Sequence, residues 1–387
     1  GLYWFANDLR VEDNPTLINA ASAVDKLICI FCIDPSARLP GLLAPSKLSP
    51  KRQQFLFESL VDLDETLKSQ GQQLLVLFKS PLDAVAELIT KHNVSHIFRS
   101  HNSGEYERKV WETLCKRYSM IEFTQTNSNT LFDSSELPFD LDSPSTNLPD
   151  SFSKYSFSKF RRSVEKLPIK ASVGKPSTLP PNCLDAADDW QALWRKYFPD
   201  SLSTSNPLFT GGLNAGQKHC QSYFNTDNAS SYKETRNGLD GMDYSTKFSP
   251  WLANGCISPR QIINRLRRYE SENGANDSTY WIYFELLWRE YFQWYAKCHG
   301  AKLFRFSGIK LRNPTTSFYP ERFQKWCKGN TPYPIVNACM KQLNTTGYMS
   351  NRGRQLVASC FVHELNLDWR YGAAYMEQQL VDYDVAS

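Results

Sequence analysis

Along the first 126 residues, short apolar runs alternate with longer stretches in which apolar positions recur every three or four residues. The short runs are Leu2–Phe5, Leu27–Ile33, Leu74–Phe78, His96–Arg99 and Ile121–Thr124, and each predicts a β-strand. The amphipathic stretches are Pro15–Val24, Lys51–Gln70, Pro81–His92 and Glu105–Arg117. Lys51–Gln70 carries Phe55, Leu56, Leu60, Leu63 and Leu67 on one helical face and is stopped by Gly71. Strands that alternate with helices predict a parallel sheet covered on both faces. After the first strand stands Asn7-Asp8-Leu9-Arg10, where dinucleotide binders carry GxGxxG. The pattern is Rossmann-like without a nicotinamide signature.

Residues 127–204 lose this alternation. Ser, Pro and Asp dominate Ser134–Pro149 and Lys175–Asn182, which predicts a long, loop-rich linker crossing the surface. From residue 205 the pattern is helical and aromatic, with candidates at Pro259–Tyr269, Thr279–His299, Pro334–Thr346, Arg352–Leu365 and Trp369–Val381. The expected organisation is an α/β domain over 1–126, a linker over 127–204 and an all-α domain over 205–387.

Composition narrows the function classes. Apolar residues make up 41% of the 387, enough for large cores, so a disordered chain is excluded. No apolar run approaches the roughly 18 residues of a membrane span. The first residue is Gly1, and no charged-then-apolar leader precedes the first strand. Residues 231–387 hold 20 basic against 14 acidic side chains, whereas the rest holds 24 against 26. The basic half is a candidate for a polyanion, or simply a solvated surface. Cys29 and Cys32 lie three apart on a strand and point to opposite faces, so they cannot share a metal. The ten cysteines lack framework spacing and read as reduced, buried thiols of an intracellular protein.

Four constellations could carry chemistry. Tyr232–Gly238 followed by Ser245-Thr246-Lys247-Phe248-Ser249-Pro250 sets hydroxyls, a cation and a helix start together, which suits a phosphate. The same run reads equally as a capped helix with Ser249 as N-cap. In Trp281–Tyr291, Glu285 and Arg289 share a helix face beside Trp288. That set could stack a base and bond its edge, or form a plain ion pair beside a core Trp. Asn351-Arg352-Gly353-Arg354-Gln355 opens a helix with two Arg, one able to face phosphate and one to pair inside, or it is a polar surface start. Asp382 and Asp384 are alternate residues that could face one side and pair with Arg354, or be ordinary surface acids.

Together these segments resemble the photolyase/cryptochrome flavoproteins, most closely the cryptochrome-DASH branch. The likeness runs along the whole chain. It includes Trp4–Arg10, Arg52-Gln-Gln-Phe55, Phe209-Thr-Gly211-Gly212, Tyr244–Leu252, Phe284–Phe292, Thr346–Gln355, Asp368-Trp369-Arg370 and Asp382-Tyr-Asp384. Gln355 in the Asn-Arg-Gly-Arg-Gln run points to the DASH branch.

The resemblance implies noncovalent FAD, folded into a U in the helical domain. Tyr232, Ser245, Thr246, Lys247, Phe248 and Ser249 match positions around its phosphates and ribose. Arg354 and Asp382 match a pair beside the isoalloxazine, and Asp384 an acid near its polar edge, with Arg289 and Asn351 also at the flavin. In such photolyases the reduced flavin absorbs blue light and lends an electron that splits a cyclobutane pyrimidine dimer. The dimer is flipped into the pocket, where Glu285, Trp288 and Asn351 match lesion-facing positions. Arg236, Arg352 and Gln355 match DNA-contacting positions, the two Arg at flanking phosphates. DASH proteins resemble repair enzymes for single-stranded or looped DNA, because they offset the cost of opening a duplex poorly. The alternative is a blue-light photoreceptor that signals through a partner.

The resemblance also implies a methenyltetrahydrofolate antenna at the domain interface near Glu105, with Glu107 an equal candidate. Trp369 matches the middle member of a three-Trp electron relay. Its outer position falls near Thr316, so either Trp326, Tyr319 or Phe318 substitutes or the relay is short. Family members continue beyond Asp384-Val-Ala with an Asn at the flavin, a Trp and further helices, so the chain reads as a fragment. A monomer is expected, with no membrane association. It would be cytoplasmic if bacterial, and organellar or nuclear if eukaryotic.

Overall fold

The structure, a computed structural model, describes residues 1–35, 48–141, 152, 155–184, 189–202 and 208–386. Five strands form one parallel sheet: β1 (Leu2–Phe5), β2 (Ile28–Cys32), β3 (Leu74–Leu77), β4 (His96–Ser100) and β5 (Glu122–Thr126), in the order β3-β2-β1-β4-β5. Between them run α1 (Pro15–Ala23), α2 (Pro50–Lys68), α3 (Pro81–His92) and α4 (Glu105–Arg117). Three of these helices start with Pro at the first turn behind an Asn or Ser cap whose side chain accepts a backbone N–H.

Successive strand residues face opposite layers, which gives the sheet two cores. Leu2, Trp4, Ile28, Ile30 and Ile97 pack with Val85, Leu88, Val110 and Leu114 of α3 and α4. Tyr3, Phe5, Cys29, Phe31 and Phe98 pack toward α1, α2 and the helical half. Cys29 and Cys32 accordingly lie in different layers. Not every cysteine is buried as expected: Cys183, outside any helix or strand, is exposed.

The strand order reverses between β1 and β4, where sheets of this kind usually receive a ligand. Here the chain's own polar side chains occupy that place. Asp8 accepts from the Tyr3 hydroxyl (2.5 Å), the Ser100 hydroxyl (2.5 Å) and the Ala6 amide (2.9 Å). Ser100 also meets Ser128 at 2.8 Å. Asn7–Arg10 thus replaces a glycine-rich phosphate turn with an internally bonded plug.

The surface linker expected over 127–204 is corrected in part. Half of Ser134–Pro149, residues 142–149, lies outside the described residues, but the described part of 127–204 supplies α5 (Phe157–Val164) and α6 (Trp190–Tyr197). Phe152, Phe160, Val164 and Trp194 are completely buried. Trp194 packs on Phe57 and Phe78, and its ring N–H bonds Ser201 at 3.0 Å. Apolar burial worth roughly 2–3 kcal/mol per large side chain holds the segment inside rather than over the surface.

The helical half comprises α7 (Leu213–Phe224), α8 (Tyr232–Thr235), α9 (Ser249–Asn254), α10 (Pro259–Asn273), α11 (Asp277–His299), α12 (Pro320–Lys328), α13 (Pro334–Thr346), α14 (Asn351–Ser359) and α15 (Trp369–Gln379). The helix expected over Arg352–Leu365 narrows to α14 and then widens into one π-turn, Cys360–Glu364. Asn366 ends it in the left-handed region, at φ 54°.

Buried polar groups seam the two halves. Arg10 donates to Asn129 Oδ1 (2.9 Å) and Gly255 O (2.7 Å), and Asp13 accepts from Arg260 Nε (3.1 Å). Asp62 of α2 accepts the Leu213 amide at 2.6 Å and so caps α7. Gly255 ends α9 at φ 69°, with its Cα facing the Asn7 carbonyl so closely that any Cβ would collide. Among the described residues no helix is long and apolar enough to cross a membrane.

Candidate functional site

The segment leading into α9 sets the first cluster. Lys247 takes φ 53°, which turns its side chain inward, where it is buried. Its ammonium lies 5.0 Å from the Tyr348 ring centre, and no carboxylate pairs with it among the described residues. Burial lowers its pKa. Ser249 is the first residue of α9 rather than its cap. Its hydroxyl instead donates to Asp382 Oδ2 at 2.6 Å. The capping alternative therefore fails at Ser249, which leaves that hydroxyl tied to the C-terminal acids.

Asp382 is buried and also accepts from Arg354 Nη2 at 2.6 Å. Its other oxygen, Oδ1, is buried with no partner. An unsatisfied buried carboxylate oxygen costs about 1–3 kcal/mol, so the position is suited to an incoming donor. Arg354 is further fixed by Nε on Met349 O (2.9 Å). Tyr348 beside it has its phenol pushed up to about 12 by burial and by Asp382.

Asp384 turns to a different set. It accepts from Arg289 Nη2 (3.2 Å) and Gln293 Nε2 (2.8 Å), both on α11. Arg289 also donates to Asn129 O at 2.7 Å. The expected pairing with Arg354 thus holds for Asp382 and not for Asp384. Tyr232, at the start of α8, is buried, and burial raises its phenol. Ser245 and Thr246 are half-buried, and Thr246 O contacts His219 Nε2 at 2.9 Å. Phe248 packs against Tyr223, Phe224 and His219 in the core behind the cluster.

One helical turn along α11 from Arg289 lies the second cluster. Glu285 pairs with Arg236 Nη1 at 2.5 Å, and Arg236 lies 4.3 Å over the Trp281 ring. Burial raises the Glu285 carboxyl and Arg236 lowers it, with burial the larger. Trp288 stacks on Phe157 of α5 at 3.6 Å and 9°, so one face of its ring is taken by the former linker. Phe292 lies 5.5 Å away.

The third cluster is the start of α14. Asn351, Arg352 and Gln355 are exposed. Among the described residues Arg352 contacts only neutral groups, Gln355 Oε1 (2.8 Å) and Asn237 Oδ1 (3.0 Å). Trp369, at the start of α15, donates to Phe306 O at 3.2 Å. No ring contact joins it to Trp326, Tyr319 or Phe318 among the described residues. Trp326 is buried against Phe361 and Tyr375 instead, and Phe318 stacks on Tyr371.

Glu105 is engaged within its own helix. Its carboxylate ion-pairs with Arg108 and with Lys109 (3.2 Å) on its own helix. Glu107 acts electrostatically on Arg52 and Tyr383, between the two halves of the molecule. Two residues beyond those singled out from sequence also matter. Gln293 helps fix Asp384. Glu290 is fully buried and accepts from the amides of Leu131 (2.7 Å) and Phe132 (3.2 Å) and from Trp294 Nε1 (2.7 Å). Burial pushes its pKa up to about 7. The sequence signal was Trp294 four residues after Glu290, a spacing that places both on one face.

A flavin dinucleotide brings a pyrophosphate, a ribose and a polar ring edge. An unpaired buried cation, nearby hydroxyls and a carboxylate oxygen awaiting a donor fit those three parts.

Comparison with known proteins agrees. Residues 1–170 match the DNA photolyase family, and residues 281–387 match the FAD binding domain of DNA photolyase. A cryptochrome DASH from Vibrio parahaemolyticus is 51% identical over all of this chain and 84% of its own length. The chloroplastic/mitochondrial cryptochrome DASH of Arabidopsis thaliana is 38% identical, over all of this chain and 68% of its own. The crystal structure of a Synechocystis cryptochrome superposes with a TM-score of 0.88 at 37% identity, over all of this chain and 79% of that one. A class III photolyase from Agrobacterium tumefaciens, at 22% identity and a TM-score of 0.76, shares the fold. A parallel α/β half and a helical FAD-binding half, with these relatives along the whole chain, place this protein in the photolyase/cryptochrome family, closest to its cryptochrome-DASH branch.

Proposed function

We propose that this chain holds FAD among Tyr232, Ser245–Ser249, Arg354 and Asp382, and repairs cyclobutane pyrimidine dimers in single-stranded or looped DNA under blue light. The observation that carries this reading is on α11. Glu285, one turn before Arg289, and Trp288, next to it, are suited to a base, while Arg289 reaches Asp384 beside the flavin cradle. Base-reading and flavin-side groups are thus built on one rigid helix.

When bound and reduced, the flavin supplies the photoexcited electron. This chain's residues do the rest. Lys247 and the hydroxyls around it neutralise the pyrophosphate. Asp382 offers Oδ1 to a ring N–H, while Arg354 and Ser249 hold its other oxygen. Glu285 bonds the edge of a flipped base, and Trp288 supplies an aromatic wall whose far face is backed by Phe157. Arg352, Gln355 and Asn351 meet the strand on the exposed rim. Trp369 would be the relay member nearest to hand when the flavin is bound, its ring held by the Phe306 carbonyl. Of the two antenna carboxylates, Glu107 faces the domain boundary and Glu105 is spent on Arg108 and Lys109, so methenyltetrahydrofolate is assigned to Glu107.

The test uses protein loaded with FAD and reduced, with a single-stranded oligonucleotide carrying one thymine dimer. Blue light should restore intact thymines, and darkness should not. A flavin-loaded protein that binds the oligonucleotide yet restores nothing in the light overturns the reading.

A further inference from the structure

The likeness to the family puts Arg236 at a DNA phosphate, but its surroundings describe another task. It caps α8, with its amide on Tyr232 O at 2.9 Å. Its guanidinium is clasped by two side chains of α11, Glu285 (2.5 Å) and Trp281 (4.3 Å to the ring centre). Those two are four residues apart and present one face. Arg352 is the contrast: exposed and, among the described residues, bound to neutral amide oxygens alone, which leaves its charge for a phosphate.

We propose that Arg236 is a positioning residue: it holds Glu285 as an oriented carboxylate, so that the site accepts the imide N–H of a thymine or uracil half, rather than gripping the strand itself. This rests on the base-reading role of Glu285 proposed above. A carboxylate only accepts hydrogen bonds, whereas a protonated carboxyl also donates. Arg236 therefore decides which base edge the same side chain recognises.

Arg236 is the charge that acts on Glu285. From the same short helix the Tyr232 phenol adjoins it. Arg161 of α5 is engaged with Glu165 and the Phe284 ring. Arg289, one turn on, is directed at Asp384. Without Arg236, burial stands unopposed and the carboxyl takes up a proton at a higher pH.

The experiment measures affinity for a single strand with and without one thymine dimer, from pH 5.5 to 8.5 and over a range of salt. It compares wild type, Arg236→Gln, Arg236→Lys and the double variant Arg236→Gln/Glu285→Gln. Wild type should prefer the damaged strand more evenly across this pH range than Arg236→Gln does. Arg236→Gln should lose about tenfold of that preference. The loss should depend on pH, vanish from the pH profile of the double variant, and be partly rescued by Arg236→Lys. Its salt slope on undamaged DNA should be unchanged.

An Arg236→Gln protein that weakens both strands equally, with a salt slope shallower by about 0.7 and an unaltered pH profile, would make Arg236 a phosphate contact and overturn the proposal. If wild type shows no preference for damage, the base-reading role of Glu285 fails. Infrared titration of the protonated carboxyl then decides for Arg236. A Glu285 band that persists to higher pH in Arg236→Gln than in wild type supports the positioning role, and an unmoved band refutes it.

Discussion

Asp382 commits one oxygen to Ser249 and Arg354 and keeps the other buried and unbonded. Its charge should therefore count in flavin binding. Asp382→Asn keeps the shape and removes the charge, and should weaken FAD roughly 10- to 100-fold, read by fluorescence titration. Glu290 makes a second prediction at this scale. Its pKa rises from 4.5 to about 7 on folding. The folded state thus binds the proton more tightly, and the stability this group contributes is present below pH 4.5 and lost as pH rises through 7. Relative to Glu290→Gln, wild type should lose about 3 kcal/mol between pH 4.5 and 8, so the variant is most destabilised at and below pH 4.5; denaturant melts at several pH values measure this. The side chains with distinctive chemistry were legible in sequence, because Lys247, Arg354 and Asp382 are costly to bury without purpose. Gln293 and most of the Glu290 network were not, because Asp384 lies about 90 residues and the Leu131 and Phe132 amides about 160 residues away; Trp294 alone was a local signal.

At the scale of elements, the sheet and α2 were readable because apolar period matched burial: Phe55, Leu60, Leu63 and Leu67 are all inside. The two helices at Phe157–Val164 and Trp190–Tyr197 were masked by Ser, Pro and Asp around them. Yet Phe157, Phe160 and Val164 carry the i, i+3, i+7 spacing of a buried face. Short helices like these gain their stability from packing, which a local pattern does not report. Phe157→Ala should cost about 3–5 kcal/mol by emptying the site between Trp288 and Phe284, while Phe157→Leu should cost less than half as much; thermal melts distinguish them. The turn that ends α9 is as demanding. Gly255→Ala combines a left-handed backbone with a collision against Asn7 O, and should destabilise by roughly 2–4 kcal/mol in the same assay.

Across the whole molecule, the α/β half is nearly neutral and the helical half is basic, and buried ion pairs such as Asp13–Arg260 fix one against the other. A polyanion should approach the helical half first, with binding that falls steeply as salt rises. Arg352→Ala should weaken damaged and undamaged strands alike and lower the salt slope by about 0.7. All of this presupposes a flavin in the cradle of Lys247, Ser249, Arg354 and Asp382. The most direct measurement is the visible absorption spectrum of the protein after exposure to FAD and removal of the excess, before and after blue light with a reductant. Flavin held in this cradle predicts protein-bound bands that bleach in the light and are diminished in Asp382→Asn. A folded protein that stays colourless would contradict it.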